Sequence, residues 1–227
     1  MDKHDTLAGL DPCIIVEPSV PATSAVIWLH GLGADGHDFE GILPQLNLPK
    51  NHAIRFVFPH APVQPVTVNG GMAMRSWYDI YSMTIAERVD IEGINQSSGV
   101  VSALIEQQVA QGIAADKIVL AGFSQGGLVV LHAALHSKQP IAGVLALSTY
   151  YPSVCWQEAM FQKNSAMPIF MAHGNFDPVI PLSVAQKSKA FLESLNLQVE
   201  WHTYPMEHSV CMPEIEHISS WLTAQLL

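Results

Sequence analysis

The chain has 227 residues, 49% of them hydrophobic and 13% charged, enough apolar content to bury a full core and too much for a disordered segment. Twenty acidic residues against ten basic ones leave a formal charge of −10 with histidine neutral. With no Lys/Arg cluster to offset it, that balance excludes a nucleic-acid-binding surface and an electrostatic hold on anionic membranes. The three cysteines, Cys13, Cys155 and Cys211, match neither a zinc spacing nor a disulfide framework. The opening residues, MDKHDTLAGLDP, lack the apolar stretch of a signal peptide, and no apolar run reaches the roughly 18 residues of a membrane span. A reduced, soluble, cytoplasmic protein with no stable membrane anchor is expected.

In chain order, short apolar runs predict strands over Ala25–Leu29 and Ile54–Phe58. From Pro59 to Gly93 no period is visible, and loops of that length in compact domains tend to carry function. A helix over Ser97–Gln111 is predicted from its capping serine, its apolar positions Val101, Leu104, Ile105 and Val109, and the stop at Gly112. Strands follow over Ile118–Phe123, Val144–Leu147, Ile169–Ala172 and Val199–Tyr204. Ser183 is placed as the cap of a helix running to about Leu195. Pro213 suits the first turn of a last helix that turns Ile215, Ile218 and Leu222 inward. Several strands are apolar on both faces, as in a mostly parallel sheet covered by helices on each side. The alternation predicts an α/β doubly wound sheet, and the absence of repeats and linkers predicts one domain over residues 1–227.

One stretch carries chemistry. In VLAGFSQGGLVV, Gly122-Phe123-Ser124-Gln125-Gly126 joins a predicted strand to a predicted buried helix, the setting of the GxSxG nucleophile elbow. Side chains at the flanking glycines would collide as the strand folds back into its helix. A serine hydroxyl is a weak nucleophile without a base, and the base needs an orienting acid. In this arrangement acid and histidine follow the serine in that order, and Asp177 is the sole aspartate after Ser124. It stands just past the Ile169–Ala172 strand, where open α/β sheets place their chemistry. As a bland alternative, Asp177 before Pro178 simply starts a turn. Of the histidines beyond it, His202 lies within a strand and His217 on the last helix. His208 lies in the loop between them, free to lean over a serine. It is the predicted base.

The oxyanion of a tetrahedral intermediate needs two aimed N–H donors. One is predicted at Gln125, after the nucleophile. The other is predicted at Leu32, in the glycine-rich loop HGLGADGHDF that follows the Ala25–Leu29 strand. His30 and His37 precede the serine, so they are read as hydrogen-bonding shapers of that loop. His132 and His136 stand four apart on a helix, a spacing that can chelate zinc, but no glutamate follows His132 and no metal is assigned. Met72, Met74 and Met83 could line an acyl site, although scattered methionines more often fill gaps.

Taken together, these residues resemble the phospholipase/carboxylesterase family of α/β-hydrolases, which includes acyl-protein thioesterases and bacterial carboxylesterases. The likeness spans nearly the whole chain, with FPHAPVQPVTVNGG, MRSWYDI, LAGFSQGG, HGNFDPVIP and the histidine loop YPMEHSV in family order. It implies Ser124, Asp177 and His208 as nucleophile, acid and base, and Leu32 and Gln125 as oxyanion donors. It also implies one wall of the acyl pocket from Trp77 to Met83, an acyl ester or thioester substrate, no cofactor, and a homodimer. The stretch RVDIEGI departs from the Asp-Glu pair of bacterial members. An esterase working through an acyl-enzyme is therefore expected, with activity falling below about pH 6.5 as an ordinary imidazole protonates. The alternatives are a peptidase or lactone hydrolase on the same scaffold, or a non-catalytic binding protein that keeps the fold.

Overall fold

The computed structural model describes residues 12–82, 88–156 and 167–227. Its centre is a seven-stranded sheet built from β1 (Ile14–Val16), β2 (Ser24–Leu29), β3 (Ile54–Phe58), β6 (Ile118–Phe123), β7 (Gly143–Leu147), β8 (Ile169–Gly174) and β9 (Val199–Tyr204). In space they run β1-β3-β2-β6-β7-β8-β9. Every neighbouring pair is parallel except β1 with β3, where Ile14 faces Phe58. The mostly parallel sheet with helices on both faces is the α/β architecture expected from the sequence.

The helices are α1 (His37–Glu40), α2 (Ile91–Ala110), α3 (Gln125–Leu135), α4 (Leu182–Ser194) and α5 (Met212–Leu226). Strand alternation decides which core each strand residue enters. On β2, Ala25, Ile27 and Leu29 join the core packed by α2, α3 and α4, while Val26 and Trp28 join the core packed by α1 and α5. All six residues of β2 are buried, and its five residues Ala25–Leu29 accordingly read as an unbroken apolar run. Helix α3 is buried along its whole length, so it too shows no polar stripe.

Three features depart from expectation. Helix α2 begins at Ile91 rather than Ser97, because Asp90 caps it by accepting from the Gly93 N–H at 3.1 Å. The same carboxylate accepts from Asp79 N–H at 2.9 Å, tying the helix start to the long segment before it. Ser183 does not cap α4: it lies inside the helix, and Pro181 stands at the cap without a side-chain bond. Finally, the segment without visible period contains a hairpin, β4 (Val63–Val66) paired with β5 (Met72–Arg75), which stands apart from the main sheet.

Candidate active site

Ser124 sits where β6 ends and α3 begins, with φ 54° and ψ −116°. A non-glycine residue with positive φ and this ψ is strained, and the packing around it accounts for the glycines that permit the turn. A Cβ on Gly122 would lie 2.4 Å from the Gly126 carbonyl oxygen, and one on Gly126 would lie 2.6 Å from the carbonyl oxygens of Leu29 and His30. The strand, the elbow and the loop after β2 therefore close on one another only where side chains are missing.

The three side chains singled out in the sequence meet at this point. His208, in the loop between β9 and α5, places Nε2 2.8 Å from Ser124 Oγ and Nδ1 2.7 Å from Asp177 Oδ2. Asp177 is buried just beyond β8, and its Oδ1 accepts from the N–H groups of Val179 at 2.8 Å and Ile180 at 2.9 Å. Because a carboxylate only accepts, the His208 proton lies on Nδ1 and Nε2 is free to accept from the serine hydroxyl. The His208 loop is brought close by Gly174, where a Cβ would fall 2.2 Å from the Glu207 carbonyl oxygen. Phe123 packs on the His208 ring at 4.9 Å between centroids. Such a line of groups can pull a proton from the hydroxyl and hold it on an imidazolium beside a fixed negative charge.

A cavity of about 330 Å³ opens over Ser124. Leu32 and Gln125 both line it, and neither backbone N–H donates to another described residue. Its walls are largely apolar, from Tyr78, Ile80, Phe123, Tyr150, Val179 and Ile180. Asp38 stands at its rim, its pKa raised by partial burial and by the neighbouring Asp35. The sequence signalled neither Asp38 nor Tyr150, whereas Tyr78 falls within the Trp77–Met83 wall that the resemblance implies. The Tyr150 hydroxyl is hydrogen-bonded with Tyr78, and burial pushes its pKa up to about 12, so it stays protonated at neutral pH.

Trp77 does not line this cavity. Its ring is 1% exposed, and its Nε1–H donates to the His30 carbonyl at 2.9 Å, so it belongs to the core behind the wall. Its neighbours Tyr78 and Ile80 supply the wall instead. Met83 lies outside the described residues. Met72 is exposed on the hairpin, and Met74, beside Gly33 and Asn69, is not part of the cavity lining.

The Gln125 side chain has a use that the sequence analysis did not assign. Buried at the head of α3, its Oε1 accepts from Trp77 N–H at 2.8 Å, while its Nε2 donates to the Tyr78 carbonyl at 2.6 Å and to Ser76 Oγ at 3.0 Å. It thereby stitches the cavity wall to the elbow. An amide opening an otherwise apolar buried helix is the signal that could have revealed it, since such a group must find partners.

His30 shapes the loop as expected. Its Nδ1–H donates to the Gly31 carbonyl at 2.7 Å, its Nε2 accepts from Ala61 N–H at 3.0 Å, and burial lowers its pKa to about 4. His37 instead faces solvent and pairs with Glu40. The ring nitrogens of His132 meet Asn95 Oδ1 at 2.8 Å and the Tyr151 hydroxyl at 3.2 Å, and His136 Nδ1–H donates to the His132 carbonyl at 2.8 Å. Both rings serve the packing of α3 against its neighbours.

Fold and site together define a hydrolase built around a serine at a strand–helix elbow. The model of the phospholipase/carboxylesterase family matches residues 11–226, so the chain belongs to that family and is a serine hydrolase. It is 36% identical over 225 residues to an acyl-protein thioesterase 1 of Neurospora crassa, covering 95% of this chain and 92% of that one. An acyl-protein thioesterase 1 of Cryptococcus neoformans is 35% identical over 231 residues, covering 93% and 96%. Among solved structures, Zea mays acyl-protein thioesterase 2 superposes with a TM-score of 0.83 at 26% identity, covering 95% of this chain and 99% of that one. Arabidopsis thaliana SOBER1 superposes with a TM-score of 0.82 at 28% identity, covering 90% and 99%.

Proposed function

We propose that the chain, acting as one domain, is a carboxylesterase that hydrolyses acyl esters and S-acyl thioesters through a covalent acyl-enzyme. Ser124 Oγ attacks the acyl carbonyl as His208 Nε2 takes its proton, and the Leu32 and Gln125 amides hold the oxyanion. His208 then protonates the departing alcohol or thiol. A water, deprotonated by His208 in turn, attacks the acyl carbonyl, and the collapse of that second intermediate frees the acid and returns the proton to Ser124. Asp177 holds the imidazole in the required tautomer and balances its charge. No cofactor enters this sequence, and a homodimer is the proposed assembly.

The observation that carries the reading is the unbroken hydrogen-bonded line from Asp177 Oδ2 through His208 to Ser124 Oγ, at 2.7 and 2.8 Å. Support for an acyl substrate comes from the apolar cavity beside it and from the thioesterase names of the relatives.

The test is kcat/KM over saturated acyl esters of about two to sixteen carbons and their thioester counterparts. Burial of each methylene is worth roughly 0.8 kcal/mol, so kcat/KM should climb by up to about fourfold per carbon until the cavity is full. A maximum at an intermediate or long chain, with thioesters turned over alongside esters, is expected. Turnover confined to amides or lactones would instead favour a peptidase or lactone hydrolase on this scaffold.

A further inference from the structure

His173 stands on β8, one residue before the strand's end, with its side chain wholly buried. Its Nε2 lies 2.8 Å from the Ile180 carbonyl oxygen. A carbonyl can only accept, so the proton is on Nε2 and Nδ1 carries the lone pair. That Nδ1 is buried and meets no hydrogen-bond partner among the described residues. The same Nε2 lies 3.3 Å from Asp177 Oδ2, the oxygen that receives His208.

Both backbone groups of Ile180 are therefore held. Its N–H donates to Asp177 Oδ1, and its carbonyl accepts from His173. One end of the turn that holds the carboxylate is thus pinned to β8 by this imidazole. The edge of its N–H also faces the carboxylate oxygen that His208 uses. A purely packing role beside Trp201, whose ring lies 6.5 Å away, would be met by phenylalanine without leaving a buried nitrogen unpaired. The donor at Nε2 is the part of this side chain that the site uses.

We propose that His173 is a positioning residue: through the Ile180 carbonyl and its approach to Asp177 Oδ2, it sets where the carboxylate stands relative to His208. This rests on the proposed roles of Ser124, His208 and Asp177. Burial lowers the His173 pKa, which keeps the ring a neutral donor. The titratable groups that act on it are Asp177 and His208, so a pH readout bears on these three groups together.

The experiment compares wild type with His173→Phe and His173→Met, which remove the donor, and His173→Gln, whose amide can bring an N–H near the Nε2 position. Rates are taken on one acyl ester and normalised to sites titrated with a fluorophosphonate, so that unfolded protein does not count. The donorless variants should lose about tenfold in kcat, at the low end for a bond acting on a charged group, with KM within about twofold. A displaced Asp177 supports the imidazolium less well, so the acid limb of kcat/KM should move to lower pH. His173→Gln should recover most of kcat and return the limb towards its wild-type position. Should His173→Phe not fold, His173→Met carries the same prediction. Donorless variants with wild-type kcat per titrated site and an unmoved acid limb would overturn the proposal, as would His173→Gln behaving like His173→Phe. Ser124→Ala, whose rate is taken per folded chain because it has no site to titrate, separates the two levels. If it retains activity, the reading of the site fails; if it is inactive while the donorless variants are unimpaired, only the role of His173 fails.

Discussion

At the scale of single residues, the elbow is decided by atoms that are absent. Around Ser124, held at φ 54°, a Cβ on Gly122 would lie 2.4 Å from the Gly126 carbonyl oxygen and one on Gly126 2.6 Å from the Leu29 and His30 carbonyl oxygens. The obstacle is main chain, so it cannot rotate aside as a flexible side chain could. Gly126→Ala should therefore lower kcat by about a hundredfold or more and cost about 1–3 kcal/mol of stability. Chemical denaturation and rates per labelled site would read the two effects separately. A Gly126→Ala protein with wild-type kcat would contradict the account of the elbow. Gln125→Leu tests the stitch in the same way. It leaves Trp77 N–H unpaired and takes one of two donors from the Tyr78 carbonyl, which keeps the Ser76 hydroxyl, so a loss of about 1–3 kcal/mol is expected, with a weakened acyl-chain preference as Tyr78 shifts.

At the scale of elements, what could be read in the sequence follows from where the signal is local. The strands over Ile54–Phe58, Ile118–Phe123 and Val199–Tyr204 agree with the structure residue for residue, because short apolar or β-branched runs bounded by turns are local patterns. The beginning of α2 was hidden. Gly93, Asn95, Gln96, Ser97 and Ser98 show no apolar stripe, yet Ser97 and Ser98 are buried, and the Ser97 hydroxyl donates to the Trp77 carbonyl. Strand β1, three residues long, and the β4–β5 hairpin depend on pairing partners that no local window contains. The site divides in the same way: motif and chain order singled out Ser124, Asp177 and His208, which the fold brings together. Which side chains of the Trp77–Met83 stretch face the cavity depends on tertiary packing, so Tyr78 and Ile80 line it while Trp77 lies behind, and Tyr150 joins from outside that stretch.

Helix α5 adds a pH dependence of its own. Glu214, in its first turn, is 0% exposed, and neither carboxyl oxygen has a hydrogen-bond partner among the described residues. Burial pushes its pKa up to about 8, softened by the nearby Cys211 amide, which does not reach it as a hydrogen bond of normal geometry. The folded pKa lies above the ordinary value of 4.5, so between those limits the native state keeps a proton that the unfolded chain has released. The contribution of Glu214 to stability is thus fully present below about pH 4.5 and is lost as pH rises towards 8. Glu214→Gln removes that slope. Melting temperatures of variant and wild type, compared at about pH 5 and pH 8, should shift in the variant's favour at the higher pH. A difference that stays constant across the range would contradict a protonated Glu214 in the native state.

At the scale of the whole molecule, one parallel sheet gathers groups that are far apart in the chain. Ser124 stands at the end of β6, Asp177 just beyond β8, and His208 beyond β9, all at the same edge of the sheet. The loop after β2 brings Leu32 to that edge, and the long segment before α2 covers the cavity with Tyr78 and Ile80. Among the described residues no helix is long and apolar enough to cross a membrane. The net charge of −10 gives no electrostatic hold on an anionic surface.

The central claim is that Ser124 becomes acylated with His208 as its base. Its most direct test is turnover of a single acyl ester by wild type, Ser124→Ala and His208→Ala, with intact-mass detection of the fluorophosphonate adduct and its assignment to the peptide carrying Ser124. The account predicts one adduct per chain, located on Ser124 and absent from Ser124→Ala, and a fall in kcat of about 10⁴-fold or more in both variants. An adduct on another residue, or a loss below about tenfold in both variants, would contradict it.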